Sequence, residues 1–201
     1  MIRLLLADDQ ALVRGALAAL LDLETDLEVV AQVGRGDEVV EAARTSAAEV
    51  CLLDIEMPGL NGIDAAAEIR RELPGVRSLI VTTFGRPGYV RRAIEAGASG
   101  FLVKDTPARQ LADAVRRVHS GLRVIDPDLA AESLIDGPSP LTRRERELLT
   151  YALDGSPVAT IAARVHLSEG TVRNHLSAAI GKTDATTRSE AARIAQDRGW
   201  L

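Results

Sequence analysis

Four residues stand at the spacing of one phosphate-handling crevice: the acidic pair Asp8 and Asp9, then Asp54, then Lys104. Each lies at or just past the end of a short apolar run, at residues 4–7, 50–53 and 101–103. As parallel strands of one sheet, these runs would bring their carboxyl ends side by side. Three carboxylates and one ammonium would then meet at the edge where open α/β sheets bind their ligands. Carboxylates clustered this tightly repel one another unless a divalent cation or a lysine neutralises them. The chemistry expected of such a set is the handling of a phosphoryl group beside a hard cation.

The elements that must position these groups are legible as a pattern. Along residues 1–121, runs rich in Leu, Val and Ile alternate with amphipathic stretches. Strands are expected at 3–7, 28–33, 50–53, 78–82 and 100–103, and helices at 10–23, 37–45, 62–72, 88–96 and 108–120. Five βα units imply a parallel sheet with helices on both faces. Thr106 followed by Pro107 reads as an N-cap with proline at the first helical position, and Gly121 reads as the stop.

Residues 122–140 lack sustained periodicity and carry Pro127, Gly137, Pro138 and Pro140, which suits a linker with a short helical turn near 129–134. Four helices follow in residues 141–201. Thr142 and Glu145 form a capping-box pattern for the first, which runs to Leu153. Ser156 and Pro157 open the second, with Ala159, Ile161, Ala162 and Val165 as its apolar positions. His166 and Leu167 make a tight turn, Ser168 caps a third helix to about residue 180, and Thr187 caps a last one over 188–198. Two short helices joined by such a turn have helix-turn-helix geometry. The fold class is α/β followed by all-α.

The 201 residues suit two small domains better than one large one. Aromatic residues are 2% of the chain, so the cores must be aliphatic. The net charge of −5 is unevenly spread: residues 138–201 carry nine bases against seven acids, which is compatible with a nucleic-acid partner. No apolar stretch approaches the roughly 20 residues of a membrane span, and no signal peptide precedes the first strand. The single cysteine, Cys51, lies within a strand and cannot form an internal disulfide. A soluble, cytoplasmic protein without membrane insertion is expected.

Residues 1–121 resemble a response-regulator receiver domain, on Asp8 and Asp9, Asp54 followed by Met57-Pro58-Gly59 and Gly62, then Thr82, Phe101 and Lys104. Residues 138–201 resemble a LuxR-type helix-turn-helix, on the segments 141–145 and 168–175. Together they are similar to the NarL/FixJ class of two-component response regulators. Within that class, segments 54–59, 82–89 and 198–200 are similar to regulators of membrane-lipid genes.

The resemblance implies a flavodoxin-like (βα)5 receiver over 1–121, a linker over 122–140 and a four-helix DNA-binding domain over 141–201, a transcription regulator rather than an enzyme. Asp54 would accept a phosphoryl group from a sensor histidine kinase. Asp8, Asp9 and Asp54, with the backbone carbonyl of Glu56, would hold Mg²⁺, and Lys104 would pair with the phosphoryl oxygens. Thr82 would swing its hydroxyl onto that group, and Phe101 would turn inward behind it. On DNA, Arg173, Asn174 and Ser177 would face bases, while Thr171 and Lys182 reach phosphates, with Ser168 and His175 beside them. Arginine reads guanine and asparagine reads adenine, although phosphate is the other common destination of an arginine such as Arg173.

Activation would favour a homodimer on double-stranded promoter DNA, with RNA polymerase as a further partner. Helices 11–23 and 108–120 offer Leu12, Ala16, Ala19, Leu111, Ala114 and Val118 for that dimer or for the core. Segment 182–186 departs from the pattern, and Asp184 adds a negative charge near the DNA backbone, so low non-specific DNA affinity is expected. Two alternatives share parts of this reading. One is a regulator of the same architecture that ignores phosphate and answers a small ligand or a protein partner. The other is a phosphatase with an aspartate nucleophile, in which Glu56 supplies acid–base chemistry.

Overall fold

The structure, a computed structural model, describes residues 1–83, 87–126, 129–130 and 139–201. The helical turn expected at 129–134 and most of the linker lie outside the described residues. Two compact units emerge, one holding most of residues 1–131 and one holding residues 132–201.

In the first unit the strands are β1 (Ile2–Ala7), β2 (Leu27–Val33), β3 (Val50–Leu53), β4 (Arg77–Thr82), β5 (Gly100–Val103) and β6 (Val124–Ile125). They form one parallel sheet in the order β2-β1-β3-β4-β5-β6. Its helices are α1 (Ala11–Leu21), α2 (Val39–Ser46), α3 (Gly62–Glu72), α4 (Pro87–Ala96) and α5 (Ala108–His119), with a 3₁₀ turn at Gly36–Glu38 ahead of α2. A strand covered on both faces needs no polar side, so the central strands read as unbroken apolar runs. Every residue of β3 is buried.

Alternation along the strands sends Leu4, Leu6, Leu52, Leu79, Val81 and Leu102 into one core with α1 and α5. Leu5, Cys51, Leu53, Ile80 and Phe101, all buried, alternate to the opposite face. On α5 the buried stripe is Leu111, Ala112, Ala114, Val115 and Val118. Of the residues left open between dimer and core, Leu111, Ala114 and Val118 are core residues of the sheet face. Leu12, by contrast, is 87% exposed, and Ala16 and Ala19 share its outward side of α1.

Two local expectations change. Val124–Ile125 adds a sixth strand beside Gly100 and Phe101, inside the stretch read as linker. The N-cap of α5 is Pro107 rather than Thr106, because Pro107 takes an extended backbone (ψ 140°) and helical geometry begins only at Ala108.

The second unit comprises α6 (Arg143–Leu153), α7 (Val158–Arg164), α8 (Glu169–Lys182) and α9 (Arg188–Asp197). Thr142 and Glu145 close the expected capping box, with Glu145 N donating to Thr142 Oγ1 at 3.2 Å and Thr142 N to Glu145 Oε2 at 2.7 Å. His166 carries the turn between α7 and α8 at a φ of 54°. Leu148, Leu149, Ile161, Val172, Leu176, Ala179 and Ala192 build an aliphatic core. The inner stripe of α8 is Val172, Leu176 and Ala179, with Ile180 half-buried at its margin, and Ala159 of α7 is exposed.

Candidate functional site

Register explains why the acidic residues meet. Ala7 pairs with Leu53, Leu53 with Ile80, and Thr82 with Val103, so these strands end nearly level. The next residues, Asp8, Asp54 and Lys104, therefore emerge side by side. Asp54 N donates to Ala7 O at 2.8 Å, and Lys104 N donates to Thr82 O at 2.8 Å, which extends the ladder by one step into the crevice.

Carboxylate oxygens of Asp8, Asp9 and Asp54 all lie within 4.8 Å of one another. Asp8 and Asp54 are 3% and 4% exposed, while Asp9 faces solvent. Lys104 Nζ stands 2.7 Å from Asp8 Oδ2 and 3.2 Å from Asp54 Oδ2. The remaining lone pairs are held locally: Gln10 N donates to Asp8 Oδ1 at 2.9 Å, and Ile55 N donates to Asp54 Oδ1 at 2.8 Å. Burial raises the Asp54 pKa above the ordinary carboxylate value. Lys104 pulls it down, and Asp8 adds to the rise. Burial alone would lower the Lys104 pKa, but the two carboxylates outweigh it and hold the ammonium firmly charged. An all-oxygen set of this kind suits a hard divalent cation such as Mg²⁺.

Thr82 is 3% exposed at the end of β4, and Phe101 is 1% exposed in the middle of β5, in the inward position. Glu56 lies exposed in the loop after Asp54. Gly62 opens α3 directly beneath the nucleophile candidate: a Cβ there would come within 1.9 Å of the Asp54 carbonyl oxygen. Arg14 is a site residue that the sequence reading passed over. Its Nη1 donates to the main-chain carbonyl of Asp8, bracing the β1–α1 turn from α1. The signal was present, because Arg14 is the only charged residue in an otherwise apolar helix.

In the second unit, Arg173, Asn174 and Ser177 are exposed on α8, and Thr171 and His175 are half-buried. Arg173 Nη2 meets Glu169 Oε2 at 2.6 Å on the helix surface. Ser168 acts first as the N-cap of α8, accepting from Thr171 N at 3.1 Å. Lys182 departs from its expected place among the DNA contacts: Nζ donates to both carboxylate oxygens of Glu145, at 2.9 and 2.8 Å. Glu145 is 4% exposed, so the lysine neutralises a buried charge and ties α8 to α6. The phosphate contact expected of Lys182 competes with this pairing, since its side chain remains 36% exposed.

A parallel α/β unit with an acidic, lysine-braced crevice at its strand ends, followed in the chain by a helix-turn-helix unit, marks a DNA-binding regulator as the class. The chain matches the response regulator receiver domain over residues 4–116 and the LuxR family of bacterial regulatory proteins over residues 139–195. It is 44% identical to the transcriptional regulatory protein YvfU and 42% identical to the transcriptional regulatory protein DesR, both of Bacillus subtilis, over 100% of this chain and of each relative. The crystal structure of the response regulator ChrA, of a heme-sensing two-component system, matches with a TM-score of 0.60 at 32% identity, covering 100% of this chain and 98% of that one. The chain belongs to the response regulators that join a receiver domain to a LuxR-type DNA-binding domain, and it is a transcription regulator. Among the described residues no helix is long and apolar enough to cross a membrane.

Proposed function

We propose that Asp54 is the phosphoacceptor for a sensor histidine kinase, and that its phosphorylation promotes homodimerisation and sequence-specific binding to promoter DNA. The observation that carries this reading is the Lys104 ammonium bridging Asp8 and Asp54 at 2.7 and 3.2 Å within a three-carboxylate crevice. An Asp54 oxygen attacks phosphorus, the bond to the kinase imidazole nitrogen breaks, and its electron pair stays on that nitrogen. Asp8, Asp9, Asp54 and the Glu56 carbonyl are suited to hold Mg²⁺, which supplies charge neutralisation for phosphoryl oxygens. Lys104 offers a second positive charge to the same oxygens.

The resulting acyl phosphate draws the Thr82 hydroxyl toward it, and Phe101 keeps the inward position behind. Phe101, expected to turn inward, is already buried at 1% exposure, so the local charge change acts on the Thr82 end of β4 alone. The exposed apolar side of α1, with Leu12, Ala16 and Ala19, is the surface this reading assigns to the partner copy. Arg173, Asn174 and Ser177 face bases, with Thr171, Ser168 and His175 nearer the backbone. RNA polymerase is the downstream partner; the DNA-binding domain occupies 141–201, while the receiver, expected to close at 121, takes in Val124–Ile125 and so shortens the linker expected at 122–140. The membrane-lipid target genes rest on the short segments named above, and sequencing the DNA retained by activated protein tests them.

Sedimentation and gel shifts with and without beryllofluoride and Mg²⁺ test the whole reading. Activation is expected to raise both dimer mass and operator affinity. Arg173→Ala should weaken operator binding by about 1–3 kcal/mol while leaving activation-dependent dimerisation intact. Unchanged mass together with unchanged affinity on activation would favour the phosphate-independent regulator instead.

A further inference from the structure

At the opposite edge of the sheet from the acidic crevice, the first unit opens into a cleft of about 400 Å³. Its walls carry three guanidinium groups: Arg70 from α3, Arg77 at the start of β4 and Arg123 from the α5–β6 loop. No acidic residue lines it. Elsewhere arginines of this unit hold carboxylates, as Arg35, Arg44 and Arg116 do. Among the described residues, Arg77 and Arg123 have no carboxylate within ion-pair distance. All three side chains are exposed to solvent, so the cleft presents positive charge to an anion arriving from solution.

The cleft is built rather than incidental. Arg70 lies across Gly97, where a Cβ would stand 2.3 Å from Arg70 Cδ, and Gly97 has a φ of +103°, so both space and backbone call for glycine there. Arg70 Nη1 also donates to the Glu95 carbonyl at 3.4 Å, which holds the guanidinium in place. Ser78 forms part of the lining and is only 3% exposed. Its main-chain carbonyl accepts from Ser99 N at 2.8 Å, while its hydroxyl has no protein partner among the described residues. The hydroxyl oxygen remains open to the cleft, where water or a ligand oxygen can reach it.

We propose that this cleft binds a small phosphate-bearing anion of diphosphate or nucleotide size. Guanidinium forks match phosphoryl oxygens in charge and geometry. The volume falls within the roughly 300–1,000 Å³ of small-molecule sites. The cleft lies about 13 Å along β4 from Thr82, at roughly 3.3 Å per residue. It takes no part in transfer to Asp54 and stands independently of it.

A ¹⁵N-NMR titration of the full chain with pyrophosphate, in EDTA to strip divalent cations, tests the site. Saturable shifts are expected at the Ser78, Gly97, Ser99 and Gly121 amides, with a Kd of about 1 mM or tighter at about 0.1 M salt. ADP should move the same amides. The Arg77→Gln/Arg123→Gln pair should weaken binding at least about tenfold, with the melting curve unchanged, and Ser78→Ala should weaken it less. No saturation by about 10 mM pyrophosphate overturns the proposal. So do shifts centred on Asp8, Asp54 and Lys104, equal binding by the double variant, or shifts produced only by duplex DNA.

Discussion

Replacing Asp54 with asparagine is expected to abolish phosphoryl incorporation from acetyl phosphate, and intact-mass spectrometry reads the result directly. The amide keeps the size of the side chain but removes the nucleophilic carboxylate. Lys104 retains Asp8 at 2.7 Å, so the crevice keeps its counter-charge. The effect is therefore a loss of chemistry with the fold preserved. Label retained in the Asp54→Asn protein would show that another residue accepts the group.

The same site makes a pH statement. Burial lifts the Asp54 pKa and Lys104 restrains it, and only the ionised carboxylate attacks. Lys104→Ala should move the acidic limb of the phosphorylation rate to higher pH, because the restraint is gone and the Asp8 charge remains. A limb that stays in place would separate Lys104 from the ionisation of Asp54.

The second large effect concerns stability in the DNA-binding unit. Lys182→Met leaves the Glu145 carboxylate buried without its ammonium. Removing one partner of a buried pair costs about 3–5 kcal/mol. The Lys182 side chain is 36% exposed, so solvent screens part of the interaction and about 2–3 kcal/mol is expected. For a domain of this size that corresponds to a fall in Tm of roughly 8–24 °C. Adding Glu145→Gln to Lys182→Met should recover part of the loss, because the uncompensated charge disappears.

The pH dependence gives the sign check. In the native chain, burial would raise the Glu145 pKa, but hydrogen bonds from Lys182 and Thr142 outweigh it and hold the carboxyl below its ordinary value. Its stabilisation is complete above the unfolded value and is lost as pH falls through the lower folded one. In Lys182→Met only the Thr142 hydrogen bonds still oppose burial, so the folded pKa moves up and the stability this group loses on acidification should shrink. Thermal melts of both proteins across the acidic range decide it, and parallel slopes would remove Lys182 from the account.

The strand ends were legible because parallel strands buried on both faces leave unbroken apolar runs. The bounds expected for the third and fifth strands, 50–53 and 100–103, are those observed. The acidic cluster followed from those ends alone. Val124–Ile125 escaped because two residues cannot show a period, and their place in the sheet depends on Gly100 and Phe101 from an earlier strand. Leu111, Ala114 and Val118 were ambiguous for a different reason. An apolar stripe on a helix says that something covers it, and only tertiary packing says whether that is the sheet or another copy. The Glu145–Lys182 pair joins residues 37 positions apart, beyond the reach of any helix-face rule. Arg123 likewise reaches the Arg70 cleft only through the turn after α5.

Cys51 sits at the centre of β3, three residues before Asp54, with its thiol pKa pushed up to about 12 by burial. Folded protein therefore presents almost no thiolate to an alkylating reagent, and labelling must wait for the sheet to part. The lone sulfur is a natural stopwatch for breathing of the strand that bears the phosphoacceptor candidate, available without engineering a reporter into the chain.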